Sequence, residues 1–126
     1  MFIKIKEREL QMLKKKITFL NMEHSMPLEE HANQKLDKIL DILRGNEAPP
    51  FYAEMWIKAN KLHPHHTTDL HLKTARFTLH AHEEGTDMYV VVDNTIDKMI
   101  TLIRKEKEKN RDLAKHTDTD KSKFGR

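Results

Sequence analysis

Apolar and polar residues alternate with a period of two in four short stretches of this chain and recur at helical spacing in two longer ones. Ile17-Thr18-Phe19 is the first alternating stretch and predicts a short strand. Ser25 follows as a helix N-cap, because its hydroxyl can accept from an otherwise unpaired N–H of the first turn. Pro27 falls inside that turn, where its missing N–H costs nothing. Leu28, Ala32, Leu36, Ile39, Leu40 and Leu43 form one apolar helix face, closed by Gly45 and barred from continuing by Pro49-Pro50. Phe51–Ala59 alternates again, with Ala53, Met55, Ile57 and Ala59 on one side and Tyr52, Glu54, Trp56 and Lys58 on the other. After the polar loop Asn60–Thr67, Leu70 and Leu72, then Phe77, Leu79 and Ala81, supply the inward faces of two further strands. Thr74-Ala75-Arg76 joins them, short enough for a hairpin although no Asn-Gly or Asp-Gly marks its turn type. A last helix starts near Thr86 or Asp87 and directs Tyr89, Val92, Ile96, Met99, Ile100 and Ile103 inward.

The predicted order is β-α-β-β-β-α, an α+β fold. Strands with one apolar face and helices with one apolar stripe pack as two layers, so both helices cover the same side of a four-stranded mixed sheet. The first two strands, joined through a helix, run parallel; the rest are hairpin-linked and antiparallel.

At 126 residues the chain is long enough for one domain with one two-layer core. Residues 15–111 carry the periodic pattern, with an N-terminal extension at 1–14 and a flexible tail without apolar periodicity at 112–126. No apolar run reaches the roughly 20 residues that span a bilayer, and Met1–Gln11 lacks the apolar core of a signal peptide. Met12 directly precedes Lys14-Lys15-Lys16-Ile17 and is a candidate alternative start. There is no cysteine, which removes disulfides, thiol catalysis and zinc-thiolate sites; the expected location is the cytoplasm.

The net charge of +3 conceals a polarity. Six Lys or Arg stand against two Glu in Met1–Lys16, and ten against five acids in Lys98–Arg126, while the body between is net acidic. Basic ends on an acidic body favour a localised polyanion contact, or simply solubility. On a wheel of about 100° per residue centred on Ile96, Lys98, Lys105 and Lys109 fall at about 180–220° and Arg104 and Arg111 at roughly 60–80°. A helix reaching Leu113 is ~40 Å long against ~23 Å for a seven-residue strand, so its basic end projects past the sheet. Lys107 faces the core by angle but lies beyond it by length. On the first helix His31, Lys35 and Lys38 form one outward row. Such stripes suit phosphates, though they also complement the helix dipole and solvate a face.

EGTDMYVVVDNTIDKMITLIRKEKEKNR resembles the last strand-to-helix unit of the bacterial ribosome hibernation-promoting factor family. That family includes ribosome-associated inhibitor A and carries the older name sigma-54 modulation proteins. The resemblance covers roughly Lys15 to Arg111 and is densest at Gly85–Lys98, where EG-x-DMY and Ile96-Asp97-Lys98 stand as in the family. It implies a fold similar in outline to a double-stranded-RNA-binding domain. It also implies binding in the small-subunit channel of mRNA and tRNA, blocking translation and preserving inactive ribosomes in stationary phase or stress. The implied partners are small-subunit rRNA and inactive ribosomes, with no membrane, no small-molecule substrate, and a monomeric free protein. The family pattern also carries lysine at Lys35 and Lys38, and its basic run maps onto Lys98, Lys105, Lys107 and Lys109. With Arg104 and Arg111 these make the candidate rRNA-binding set. Glu106 departs from the pattern and dilutes the patch. The chain has the length of a short form, which leaves open whether it promotes ribosome dimers or keeps inactive monomers. A general structured-RNA-binding module and a transcription-modulating interaction protein are the alternatives.

His63, His65 and His66, and the strand residues His71, His80 and His82, invite a metal reading. No carboxylate or cysteine completes a recognisable pattern, and the resemblance implies no metal or other cofactor; protonated histidines near rRNA are a second reading, and solvated sheet surface is the simplest. Trp56 and Tyr52 lie on the face the helices leave uncovered, where they can stack on a base, meet a protein, or fill an exposed apolar cluster. No Gly-rich phosphate loop, H-E-x-x-H or nucleophile elbow is present, so no enzyme activity is expected.

Overall fold

The computed structural model describes residues 13–124 apart from 46, 48 and 61, with side chains described over 14–109. The extension at 1–14 therefore lies almost wholly outside the described residues. The order is β1 (Leu13–Leu20), α1 (Met26–Arg44), β2 (Phe51–Lys58), β3 (His66–Lys73), β4 (Thr78–Gly85) and α2 (Met88–Phe124). The strands lie in chain order, with β1 and β2 parallel and the other neighbours antiparallel. This is the expected β-α-β-β-β-α arrangement. Register aligns the inward residues into rows such as Ile17, Met55, Leu70 and Ala81. Both helices pack on that side and close one core with them. Among the described residues no helix is long and apolar enough to cross a membrane.

The α1 face matches its periodicity, and all six expected residues are buried. Ser25 Oγ accepts from the Leu28 N–H at 3.4 Å, and Pro27 sits in the first turn. Gly45 caps the C-terminus through its N–H to the Leu43 carbonyl, but at φ −86° its backbone is right-handed. The freedom of a glycine is not used there.

Gly85 is different. A Cβ added to it would stand 2.9 Å from Val91 Cγ2, so the end of β4 and the first turn of α2 approach too closely for a side chain. Asp87 caps that turn, its Oδ1 accepting from Tyr89 N–H at 3.0 Å and its carbonyl from Val91 N–H at 2.9 Å. The hairpin between β3 and β4 is built by a threonine. Thr74 N–H donates to the Phe77 carbonyl at 2.9 Å, and Thr74 Oγ1 accepts from the N–H groups of Arg76 and Phe77 at 3.3 and 3.2 Å.

Helix α2 differs from its sequence reading in rotation and length. Tyr89, expected in the core, is 42% exposed, whereas Val91 and Thr95 are 1% and 0% exposed. The buried residues Val91, Val92, Thr95, Ile96, Met99 and Ile103 span an arc centred about 70° from Ile96 at 100° per residue. The polar Thr95 hid the true centre of the stripe; its hydroxyl donates to the Val91 carbonyl at 2.7 Å and so enters the core satisfied. In length the helix continues to Phe124, so the segment expected as a tail from residue 112 is helical in backbone. Lack of apolar periodicity removes core packing, not helicity, and no Gly or Pro interrupts the chain between Asp87 and Phe124.

Thr68 is the counterpart of Thr95. It is fully buried on β3, and its Oγ1 has no hydrogen-bond partner among the described residues. Replacing it by the similarly shaped valine removes an unpaired hydroxyl from the core. Thr68→Val is expected to stabilise the fold by about 1 kcal/mol, a rise in Tm of about 4 °C by calorimetry. An unchanged or lower Tm would mean that the hydroxyl is paired.

Candidate nucleic-acid interface

The core ends before α2 does. Ile103 is the last buried residue of the helix among those described, and Arg104, Lys105 and Lys109 beyond it are exposed, with Lys107 half-buried. At about 1.5 Å per residue α2 is about 55 Å long against about 28 Å for α1, so the basic segment overhangs the two-layer body. Lys109 Nζ is 3.6 Å from Glu106, one turn earlier, so the departing carboxylate partly neutralises the end of the stripe. The Arg111 side chain lies outside the described residues.

Because α2 is rotated from the expected setting, its basic residues fall on two flanks. Asp97, Thr101 and Glu108 occupy the middle of the solvent face, all exposed. Lys98, expected to point outward, lies over the β4 edge: its Nζ donates to the His82 carbonyl at 3.1 Å and is 3.9 Å from Glu83. Lys105 and Lys109 follow on the same flank by the helical period. Arg104 and Lys107 lie on the other flank, with Asp93.

Asp93 marks the side facing α1. Its Oδ1 is 2.6 Å from His31 Nε2 and 3.7 Å from Lys35 Nζ, while the His31 ring meets Tyr89 edge-on at 5.1 Å. Lys35 is therefore tied into the contact between helices. Lys38, on the same row, is exposed and makes no ion pair among the described residues. The structure thus brings together Arg104, Lys105, Lys107 and Lys109 at the overhang, Lys109 beside Glu106, and ties Lys35 to Asp93 and Lys98 to the β4 edge.

Among the described residues no element covers the opposite face of the sheet. Its side chains form cross-strand rows: Lys14–Tyr52–Lys73–Thr78, then Lys16–Glu54–His71–His80, then Thr18–Trp56–Asp69–His82. Trp56 meets His71 edge-on at 4.8 Å, and His71 meets His80 at 4.4 Å. The histidines are organised by carboxylates that sequence spacing did not reveal. Asp69 Oδ1 is 3.1 Å from His80 Nε2 and 2.9 Å from His82 Nδ1. His82 Nε2 lies 3.2 Å from Glu84, which also meets His65 at 3.1 Å. His66 instead accepts from the Asn60 N–H at 3.4 Å, so the loop histidines do not converge. No group of three metal-binding side chains occurs among the described residues. A cross-strand pairing rule was the available signal, since Asp69 stands opposite His82 once the register is known.

These contacts shift the groups in opposite directions. Burial would raise the Asp69 carboxyl, but hydrogen bonds from His82 and His80 outweigh it and hold the carboxyl below its ordinary value. Hydrogen bonds to Asp69 and Glu84 push His82 up, and those from His82 and His65 hold Glu84 down. Stability from the raised His82 is present in full below its unfolded value of about 6.5 and is lost as pH rises through the higher folded value. Stability from the lowered carboxyls is present above about 4 and is lost as pH falls. The Tm difference between the wild type and His82→Gln is therefore expected to be largest between about pH 5 and 6.5 and to shrink on both sides. The effect is small because solvent screens these groups. A difference constant from pH 5 to 9 would exclude the charged network.

Residues 16–111 match the model of the family described as sigma 54 modulation protein / S30EA ribosomal protein. Among solved structures, a ribosomal subunit interface protein from Coxiella burnetii is similar at a TM-score of 0.60 and 24% identity, over 75% of this chain and 97% of that one. The Protein Y N-terminal domain of Thermus thermophilus is similar at a TM-score of 0.61 and 16% identity, over 74% of this chain and 96% of that one. At these identities both show a shared fold. No match was found among curated proteins.

Proposed function

The chain belongs to the sigma 54 modulation protein / S30EA ribosomal protein family, and from that premise we propose that it is a ribosome hibernation factor acting by binding, without catalysis. In this reading it occupies the small-subunit channel between head and body, contacts rRNA phosphates, and excludes mRNA and tRNA. The observation that carries the reading is the overhang of α2, which projects Arg104, Lys105, Lys107 and Lys109 past the last buried residue. A projecting cationic helix can enter a cleft between phosphate backbones without moving the core, and it needs no base contacts. The similarity to a protein described as a ribosomal subunit interface protein supports the same partner. Preferential binding to vacant ribosomes would hold them inactive by mass action.

The test is co-sedimentation of the purified protein with vacant 70S ribosomes and with isolated subunits over a range of salt. Binding to 70S and small subunits is expected. Affinity should fall by orders of magnitude between about 50 and 200 mM salt if six or more phosphates are contacted. Equal competition by a simple RNA duplex would instead favour a general structured-RNA module. A flat salt response would favour a protein partner, as would cross-links to polymerase components instead of rRNA. Sucrose gradients of stationary-phase ribosomes with and without the protein separate dimer promotion from maintenance of inactive monomers.

A further inference from the structure

We propose that the sheet face opposite the helices, which no described element covers, is a second nucleic-acid site that takes a short single-stranded RNA segment. At its β1 end the face carries a hollow of about 350 Å³ lined by Lys14, Lys16, Tyr52, Glu54, His71 and Lys73. Tyr52 is 43% exposed and stands in one row between Lys14 and Lys73, with the Lys14 ammonium 5.6 Å from its ring. Strands are about 4.8 Å apart, so the row presents an aromatic ring with a cation about one strand away on each side. A base stacked on Tyr52 thereby has its flanking phosphates within reach of both lysines.

Lys16 extends the cationic side along β1 and is 3.9 Å from Glu54, the one carboxylate lining the hollow. That carboxylate can accept from an exocyclic base amine. Beyond it, His71 and Trp56 meet edge-on and supply a second aromatic surface for a base further along the strand, about 13 Å along β2 from Tyr52. In the Tyr52 row a cation on each side of an aromatic selects a strand whose bases are unstacked and available, while Trp56 stands between Thr18 and Asp69 and offers stacking alone. An acidic peptide would leave Tyr52 and Trp56 without flat partners. A duplex keeps its bases inside, and the hollow is too small to receive a groove. The site uses none of the α2 residues assigned to the ribosome contact, so it stands or falls independently of that reading.

Trp56 is the one tryptophan of the chain and serves as the probe. Titrating the full chain at low salt with a hexameric oligoribonucleotide is expected to quench its fluorescence saturably, and fluorescein-labelled RNA should show matching anisotropy. Lys14→Glu with Lys73→Glu, and separately Tyr52→Ala, should weaken binding at least tenfold at unchanged Tm, while Lys105→Glu with Lys109→Glu should leave the quench intact. A duplex hexamer, a mononucleotide and poly-glutamate should each bind at least tenfold more weakly. The proposal is overturned by equal binding of any of these three competitors, by loss of the quench in the α2 variant, or by absence of both quench and anisotropy change.

Discussion

Lys105→Glu, Lys107→Glu and Lys109→Glu, combined in one chain, are expected to lower ribosome affinity by about 10²-fold or more while the Tm stays close to wild type. All three lie beyond Ile103, the last buried residue of α2, so their reversal removes no core contact. Each loses a charge-assisted phosphate contact of about 1 kcal/mol or more and adds a repulsion, and three such losses multiply. The dependence of log affinity on log salt should flatten by about three contacts. Co-sedimentation at two salt concentrations with calorimetry of the same preparation reads both quantities. Unchanged binding would remove the overhang from the interface. Lys98 is left out of the set because it donates to the His82 carbonyl, and its reversal would disturb the β4 edge as well as any phosphate contact.

A second large effect is expected one layer away, at the start of β2. Phe51 is fully buried among the core residues, and Phe51→Ala should cost about 3–5 kcal/mol through lost transfer energy and the cavity left behind. Against a total of about 5–15 kcal/mol for a domain of this kind, that is enough to unfold a large fraction of the chain near physiological temperature. Urea denaturation should show a lower midpoint at an unchanged slope. Tyr52→Ala, the adjacent position on the uncovered face, should leave the midpoint within about 0.5 kcal/mol of wild type, as exposed substitutions do. If both substitutions cost the same, the alternation of faces along β2 is wrong.

That contrast between neighbours shows why so much of the fold was legible. Phe51 and Tyr52 differ in face because successive strand residues point to opposite sides, a rule that needs no knowledge of the rest of the chain. The same local logic placed the six buried residues of α1, the Ser25 cap and the Asp87 start of α2. Gly85 was visible as a residue, but the reason for it was not. Its close approach to Val91 exists only when the end of β4 meets the helix that follows.

The candidate site was legible in part. Arg104, Lys105, Lys107 and Lys109 were placed beyond the core by a length argument, and the overhang bears that geometry out. The outward direction of Lys98 did not follow. The wheel was centred on the visibly apolar Ile96, whereas the buried arc includes Thr95 and Val91 and turns Lys98 toward β4. Asp93 becomes the partner of His31 and Lys35 only through the contact between helices. Likewise the histidines of β4 had no visible carboxylate until register set Asp69 opposite His82.

The sequence by itself determined the element order, the inward face of each strand and of α1, the family and the charge that α2 carries past its last core residue. These are properties of local period, capping and length, which the chain holds before it folds. Only the tertiary structure decided the rotation of α2, the split of its cations between the overhang and the β4 edge, and the meeting of Lys14, Tyr52 and Lys73 in one row. Each of these depends on which strand lies beneath a helix or beside another strand. That choice is made by the summed burial of residues far apart in sequence, which no single stretch of the chain contains.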